Sequence, residues 1–305
     1  MNQFDVVGFG ALNVDKLYLV DKIATSDEQR FIIGFKETCG GSAANTIVGL
    51  ARLGCKVGFI GKVADDREGK LLLEDFYREG VDTGGVILEK KGKSGTAIGF
   101  IDKKGERILY INPGVNDSIG YEEINKNFAF RTKFLHLTSF VGEKSFRTQE
   151  KLVRTLPKNV KISFDPQQFY ARKGLEALTP ILKRTFLLVL NVKELEILSK
   201  KPDYREGAET LIREGVKIIA VKLGSKGCYV TDGKENHHVE AFKVKVVDTT
   251  GAGDAFCVGF LYGLIKHKTL KECGKIGNFI ASWCIRKIGA RTGLPYYKDI
   301  KTLIR

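Results

Sequence analysis

Short apolar segments alternate with longer helical stretches along most of the chain, and this alternation restricts the fold more than any other feature. Residues 134–137, 161–164, 187–190 and 217–222 are brief and apolar on both faces. Strands of that kind need cover on both sides, and the crossover helices between them supply it. The expectation is a doubly wound, mostly parallel α/β sheet with helices on both faces. Residues 4–9 and 56–60 read as further strands. Helices are expected over 42–53 and 68–78, stopped by Gly54 and Gly80.

Two β-rich stretches, 15–36 and 85–111, break the pattern. In the second, strands at 85–89, 95–102 and 106–111 follow one another, and Lys103-Lys104-Gly105 reads as a hairpin turn. They predict a small separate sheet contributed by two distant stretches. Near the C-terminus, β segments at 227–231 and 238–246 lead to helices over 252–266 and 270–287. No linker or repeat divides the chain, so residues 1–305 read as one domain.

Composition removes several function classes. With 305 residues and 43% hydrophobic content, the chain can build a large core. The net charge of +14 raises nucleic acid as a partner. The Lys and Arg residues, however, fall in short clusters such as 90–93 and 200–201, without interleaved aromatics. They read as a solvated basic surface, with no nucleic acid bound. No apolar run is long enough to cross a bilayer, and the N-terminus lacks a secretion pattern, so a cytoplasmic location is expected. The six cysteines show neither metal-ligand nor disulfide spacing.

The chemistry concentrates in Asp248-Thr249-Thr250-Gly251-Ala252-Gly253-Asp254, which follows a β run at 243–247 and opens an apolar helix. Gly251, Ala252 and Gly253 let an anion approach backbone N–H groups at a helix start, where donors are unpaired and the dipole is positive. Asp254 stands in the first turn, where the dipole favours its ionised form and it can take a proton from an attacking hydroxyl. A second segment, Cys39-Gly40-Gly41-Ser42-Ala43-Ala44-Asn45, opens another helix. Its Gly40 and Gly41 allow close approach of a substrate, and Asn45 can donate to and accept from a hydroxyl.

Together these segments resemble the ribokinase family, also called the PfkB carbohydrate kinases. The resemblance covers the whole chain and implies an ATP-dependent phosphotransferase that acts on an alcohol group under a β-sheet lid. Residues 15–36 and 85–111 are the lid candidates, and lids of the family often pair into homodimers. On the matching positions, the resemblance makes Asp254 the catalytic base beside Gly251–Gly253. It places Asn13 and Asp15, with Gly40, Gly41 and Asn45, at the acceptor. Asn191, Lys222, Gly224, Gly227, Thr249 and Asn278 would bind the nucleotide. Glu194 would organise Mg²⁺, through water, and Asp248 and Thr250 would hold a monovalent cation such as K⁺. The acceptor is read first as a sugar or sugar derivative and second as a nucleoside. A nucleoside would call on aromatic faces, with Phe100, Tyr110 and Phe140 as candidates. A sugar phosphate would call on cations, with Lys36, Arg107 and Arg172 as candidates.

Overall fold

Nine strands form the large sheet of the computed structural model, which describes residues 3–103 and 106–301. Thirteen strands occur among these residues. In chain order they are β1 (Phe4–Phe9), β2 (Asn13–Val20), β3 (Ile32–Gly40), β4 (Val57–Ala64), β5 (Asp82–Glu89), β6 (Gly95–Ile101) and β7 (Arg107–Asn112). β8 (Thr132–Thr138), β9 (Lys161–Asp165), β10 (Thr185–Asn191), β11 (Ile218–Lys222), β12 (Cys228–Thr231) and β13 (Asn236–Val239) follow. The large sheet runs β13-β12-β11-β10-β9-β8-β1-β4-β5 and is parallel from β5 to β11.

Alternate residues of each strand feed two cores. Val6, Leu187 and Val189 pack with the helices Ser42–Arg52, Ala252–Ile265 and Leu270–Cys284. Val7, Leu188 and Leu190 pack with helices between residues 126 and 213 on the other face. This is the two-sided cover that the apolar strands require. The strand order reverses direction between β1 and β8. Their carboxyl ends therefore leave a crevice, the usual ligand position in open α/β sheets.

β2, β3, β6 and β7 form the small sheet, in the order β3-β2-β6-β7, with β2 and β6 parallel at its centre. The expected boundaries shift here. β5 belongs to the edge of the large sheet, where Gly85 and Val86 pair with Ile60 and Gly61. The lid's second contribution thus begins at β6. A crossover rather than a composition change separates β5 from β6, so the β-rich pattern alone does not divide them. The expected hairpin turn includes Lys104 and Gly105, which lie outside the described residues. The β segment at 238–246 is a strand only to Val239; residues 240–248 run irregularly along the site, and the run at 243–247 is not a strand. The last long helix ends at Cys284, short of residue 287.

Candidate active site

The turn from Thr249 to Asp254 is shared by two cavities. Thr249, Ala252 and Gly253 line both, whereas Asp254 opens only onto the one beneath the lid. Gly251 adopts φ 77°, and a Cβ there would strike Ala290, so only glycine fits this helix start. The Ala252–Ile265 helix is buried from Ala255 to Gly263 by its apolar side chains. Burial on all sides fixes the axis that presents the amides of Ala252 and Gly253 and the Asp254 carboxylate.

Asp254 accepts hydrogen bonds from Ser42 Oγ at 2.5 Å and from Asn45 Nδ2 at 2.8 Å. Both donors lie at the start of the Ser42–Arg52 helix, entered through Gly41 at φ 101°. Burial pushes the Asp254 carboxyl up to about 6; the two side-chain donors oppose the rise, Asp165 adds to it and Lys222 opposes it. The sequence expectation, ionisation favoured by the dipole, is corrected in sign, since desolvation outweighs the helix field here. A carboxylate titrating near neutrality, held by two neutral donors, suits proton abstraction.

The cavity beneath the lid, about 510 Å³, takes polar residues from the lid, from the turn after β7 and from the end of β8. Asn13, Asp15, Asn116, Asp117 and Thr138 are among them, and Gly41 lines it too. Three of the expected acceptor residues, Asn13, Asp15 and Gly41, therefore line it. Gly40 and Asn45 do not. At Gly40 a Cβ would strike the Asp15 carboxylate, so this glycine makes room for Asp15 rather than for a ligand. Asn45 is 5% exposed; its Oδ1 accepts from Arg291 Nε at 2.8 Å while its amide holds Asp254. Asn45 thus holds the Asp254 carboxylate, and its amide is engaged there rather than in the cavity.

The second cavity, about 540 Å³, has an apolar body built by Ala241, Phe242, Val244, Val246, Phe256 and Ile285. Lys222, Gly224, Gly227, Thr249 and Asn278 line it as expected. Asn278 Nδ2 donates to the carbonyls of Val239 and Glu240, which anchors the irregular segment that forms the cavity wall. Lys222 Nζ lies 2.8 Å from Asp165 Oδ2, and a Cβ on Gly253 would stand 3.2 Å from that nitrogen. Burial alone would lower its ionisation point, but Asp165 raises it, so the ammonium stays charged beside the turn.

Asn191 and Glu194 lie outside both cavities and cap each other across the start of the Val192–Ser199 helix. Glu194 is 7% exposed, and burial and Asp165 raise its carboxyl while Lys222 opposes the rise. A buried acid of that kind is a fitting partner for a cation, so the chemistry of this position suits Mg²⁺. Asp248 braces the turn: Oδ1 accepts from Thr250 N and Oγ1, and Oδ2 from Gly289 N at 2.8 Å. Among the described residues no cluster of three or more His, Cys, Asp or Glu is placed to hold a metal by itself.

The aromatic candidates do not face the acceptor cavity. Phe140 is 1% exposed and packs on Phe9. Phe100 stacks on Tyr18, on the lid face opposite Asp15 and Leu17, and Tyr110 shares that face. Phe169, which the sequence did not single out, lines the cavity instead. The cation candidates also fall outside: Lys36 Nζ donates to Ile288 O, Arg172 is exposed and off the cavity, and the Arg107 side chain is not described. Ser42, Asn116, Asp117, Asp165 and Arg291 were missed as well. The Pro113-Gly114-Val115-Asn116-Asp117 turn was the available signal for two of them.

A doubly wound sheet with a glycine turn at a helix start, where two cavities meet and one lies beneath a small β-sheet, is the frame of an ATP-dependent phosphotransferase. The chain belongs to the pfkB family of carbohydrate kinases, whose family model matches residues 3–296. It is 48% identical, over 255 residues, to an uncharacterized sugar kinase of Archaeoglobus fulgidus, covering 83% of this chain and all of that one. It is 31% identical to the ATP-dependent ribose-1-phosphate kinase of Halopiger xanaduensis, over 94% of each chain. Among solved structures, a ribokinase from Thermotoga maritima superposes with a TM-score of 0.87 at 28% identity, over 99% of each chain. Among the described residues no helix is long and apolar enough to cross a membrane.

Proposed function

We propose that this kinase transfers the γ-phosphate of ATP to a hydroxyl of a sugar or sugar derivative, with Asp254 as general base. One observation carries the reading. Two cavities meet at a single turn, and the buried carboxylate at its end opens only onto the cavity beneath the lid. A nucleotide lying along Lys222, Gly224, Gly227 and Asn278 brings its terminal phosphate to the Gly251–Gly253 amides. The acceptor, held by Asn13, Asp15 and Gly41, presents its hydroxyl to Asp254. Asp254 removes the proton as the oxygen attacks in line, and Lys222 with the amides balances the charge of the transferring group. Lid closure excludes water that would otherwise take the phosphoryl group.

Mg²⁺, when bound with ATP, neutralises phosphate charge; Glu194 is the carboxylate that would anchor it through water. Asp248 and Thr250 are the residues for K⁺. The outer lid face carries the exposed apolar residues Phe35, Ile98, Ile108 and Tyr110, which supports a homodimer formed through the lid. Phe169 and the apolar wall of Leu17, Leu109, Ile111 and Val141 favour a second reading, a nucleoside whose base rests there. A coupled assay of sugars and nucleosides with ATP and Mg²⁺, with and without K⁺, tests all of this. Absence of turnover for every hydroxyl acceptor would sink the kinase reading. Sedimentation at several concentrations tests the dimer.

A further inference from the structure

We propose that Arg291 is a positioning residue of the transfer reaction: it locks the side-chain amide of Asn45 so that the amide can only donate to Asp254. The inference rests on the reading of Asp254 as general base and adds the group that keeps this base ready to accept a proton.

The Asn45 amide is held from both sides. Nδ2 donates to Asp254 Oδ2 at 2.8 Å, and Oδ1 accepts from Arg291 Nε at 2.8 Å. A guanidinium carries donors and no acceptor. The atom of Asn45 that faces it must therefore be Oδ1, and the atom that faces Asp254 must be Nδ2. A flipped amide would set its NH2 group against the guanidinium. Ser42 Oγ, the other partner of Asp254, both donates and accepts, so it can rotate to serve either protonation state. The locked amide cannot. A proton on Asp254 Oδ2 would meet an NH2 group, so the lock favours the ionised carboxyl.

Arg291 is buried and itself fixed. Nη1 donates to Asp75 on the Arg67–Arg78 helix, and Nη2 donates to the Gly40 carbonyl at 3.2 Å. Its loop is pinned as well. Arg52 Nη1 donates to the carbonyls of Arg291 at 2.6 Å and Leu294 at 3.1 Å, and Gly289 N donates to Asp248 Oδ2. The Asp75 pair alone would staple the helix; the Nε bond is the one that reaches the base. The charged and titratable groups that act on Asp254 are Lys222 at the end of β11, Asp165 at the end of β9, Cys257 on its own helix and Cys284 on the Leu270–Cys284 helix. Asp75 and Cys39 face Arg291 instead.

The test is Arg291→Gln, whose amide can donate or accept and so no longer dictates how Asn45 points. The assay uses saturating ATP and ribose, or the acceptor turned over fastest in the sugar and nucleoside screen. The acidic limb of kcat is expected to move up by about one unit, the size of one hydrogen bond gained by the protonated carboxyl. Against the wild type, turnover then falls about fivefold at pH 6 and stays within about twofold at pH 8, where both KM values hold. Arg291→Lys, which keeps a donor without an acceptor, should restore the wild-type limb. In an Asn45→Ala background, Arg291→Gln should leave the limb in place. An equal shift there would mean that the charge of Arg291 acts directly, and would overturn the lock. A loss of rate that is the same at pH 6 and pH 8 would mark a purely structural arginine and overturn it too. If Arg291→Gln fails to fold because Asp75 is left buried without its partner, Arg291→Gln combined with Asp75→Asn carries the same test.

Melting temperature against pH, with Asp254→Asn made in each background, reads the same ionisation without turnover. The melting gap between each protein and its Asp254→Asn counterpart should level off about one unit higher in the Arg291→Gln background. A gap that levels off at the same pH in both overturns the proposal. Asp254→Asn with near wild-type turnover would retire the base reading, and the melting gap would still decide whether Arg291 governs the Asp254 carboxyl.

Discussion

The two cavities that meet at Gly253 are similar in size and differ in character. The cavity beneath the lid joins an apolar wall to side chains that donate and accept, with three carboxylates among them. The donor side is an apolar slot closed by Phe242, Val244 and Val246, with one committed cation at its inner end. The same contrast recurs in two buried aspartates. Asp254 is held by neutral donors, and burial lifts its carboxyl to about 6. Asp165 is paired to an ammonium 2.8 Å away. A carboxylate with a permanent cation is spent on structure, whereas one held by a hydroxyl and an amide keeps the capacity to take a proton.

The sharpest way to break this contrast is Asp254→Asn, which removes the base and keeps its shape. Turnover is expected to fall by about 10²-fold or more, with both KM values within a few-fold, read by a coupled assay. Stability should move the other way. The folded-state carboxyl lies above its ordinary 3.8, so the ionised form is disfavoured in the fold, and this cost grows as pH rises through about 6. The variant should therefore melt at higher temperature than the wild type at pH 8, with the gap closing below pH 4.

Asp15→Ala comes next. It should lower acceptor kcat/KM by roughly tenfold to 100-fold and leave KM for ATP in place. An equal rise in both KM values would show that the two cavities are not independent. Lys222→Met tests the other side: ATP KM should rise about tenfold. Leaving Asp165 buried and unpaired should also cost roughly 3–5 kcal/mol of stability by chemical denaturation. Ser42→Ala removes one donor from Asp254, which should move the acidic limb of the pH–rate profile upward by about one unit. Phe242→Ala should have the smallest effect, a rise of a few-fold in ATP KM alone.

The positions of the glycine turn, Asp254 and Asp15 at one cavity were legible because a strand end and a helix start are marked by local residue patterns; their roles are those proposed above. The turn at 249–254 was identified even though the segment before it is not a strand. Asn45 was legible as a site residue but not in its role, because the partners that consume its amide and carbonyl, Asp254 and Arg291, lie more than two hundred positions away. Asp117 and Phe169 were passed over because they meet at one cavity only in the fold, which brings the turn after β7 and the short helix after β9 together. Phe100 and Tyr110 were misread because strand alternation fixes two faces without saying which one looks into the site. The division of β5 from β6 likewise follows from a crossover that no residue pattern announces.

The pH dependence of wild-type turnover at saturating ATP and acceptor tests the central claim most directly, because it reads the ionisation of Asp254 in the intact enzyme. A base lifted by burial to about 6 predicts half-maximal rate near that pH and a tenfold loss for each unit below it. A rate flat from pH 7 down to pH 5, with the protein folded throughout, would contradict the assignment of Asp254 as the group that accepts the proton.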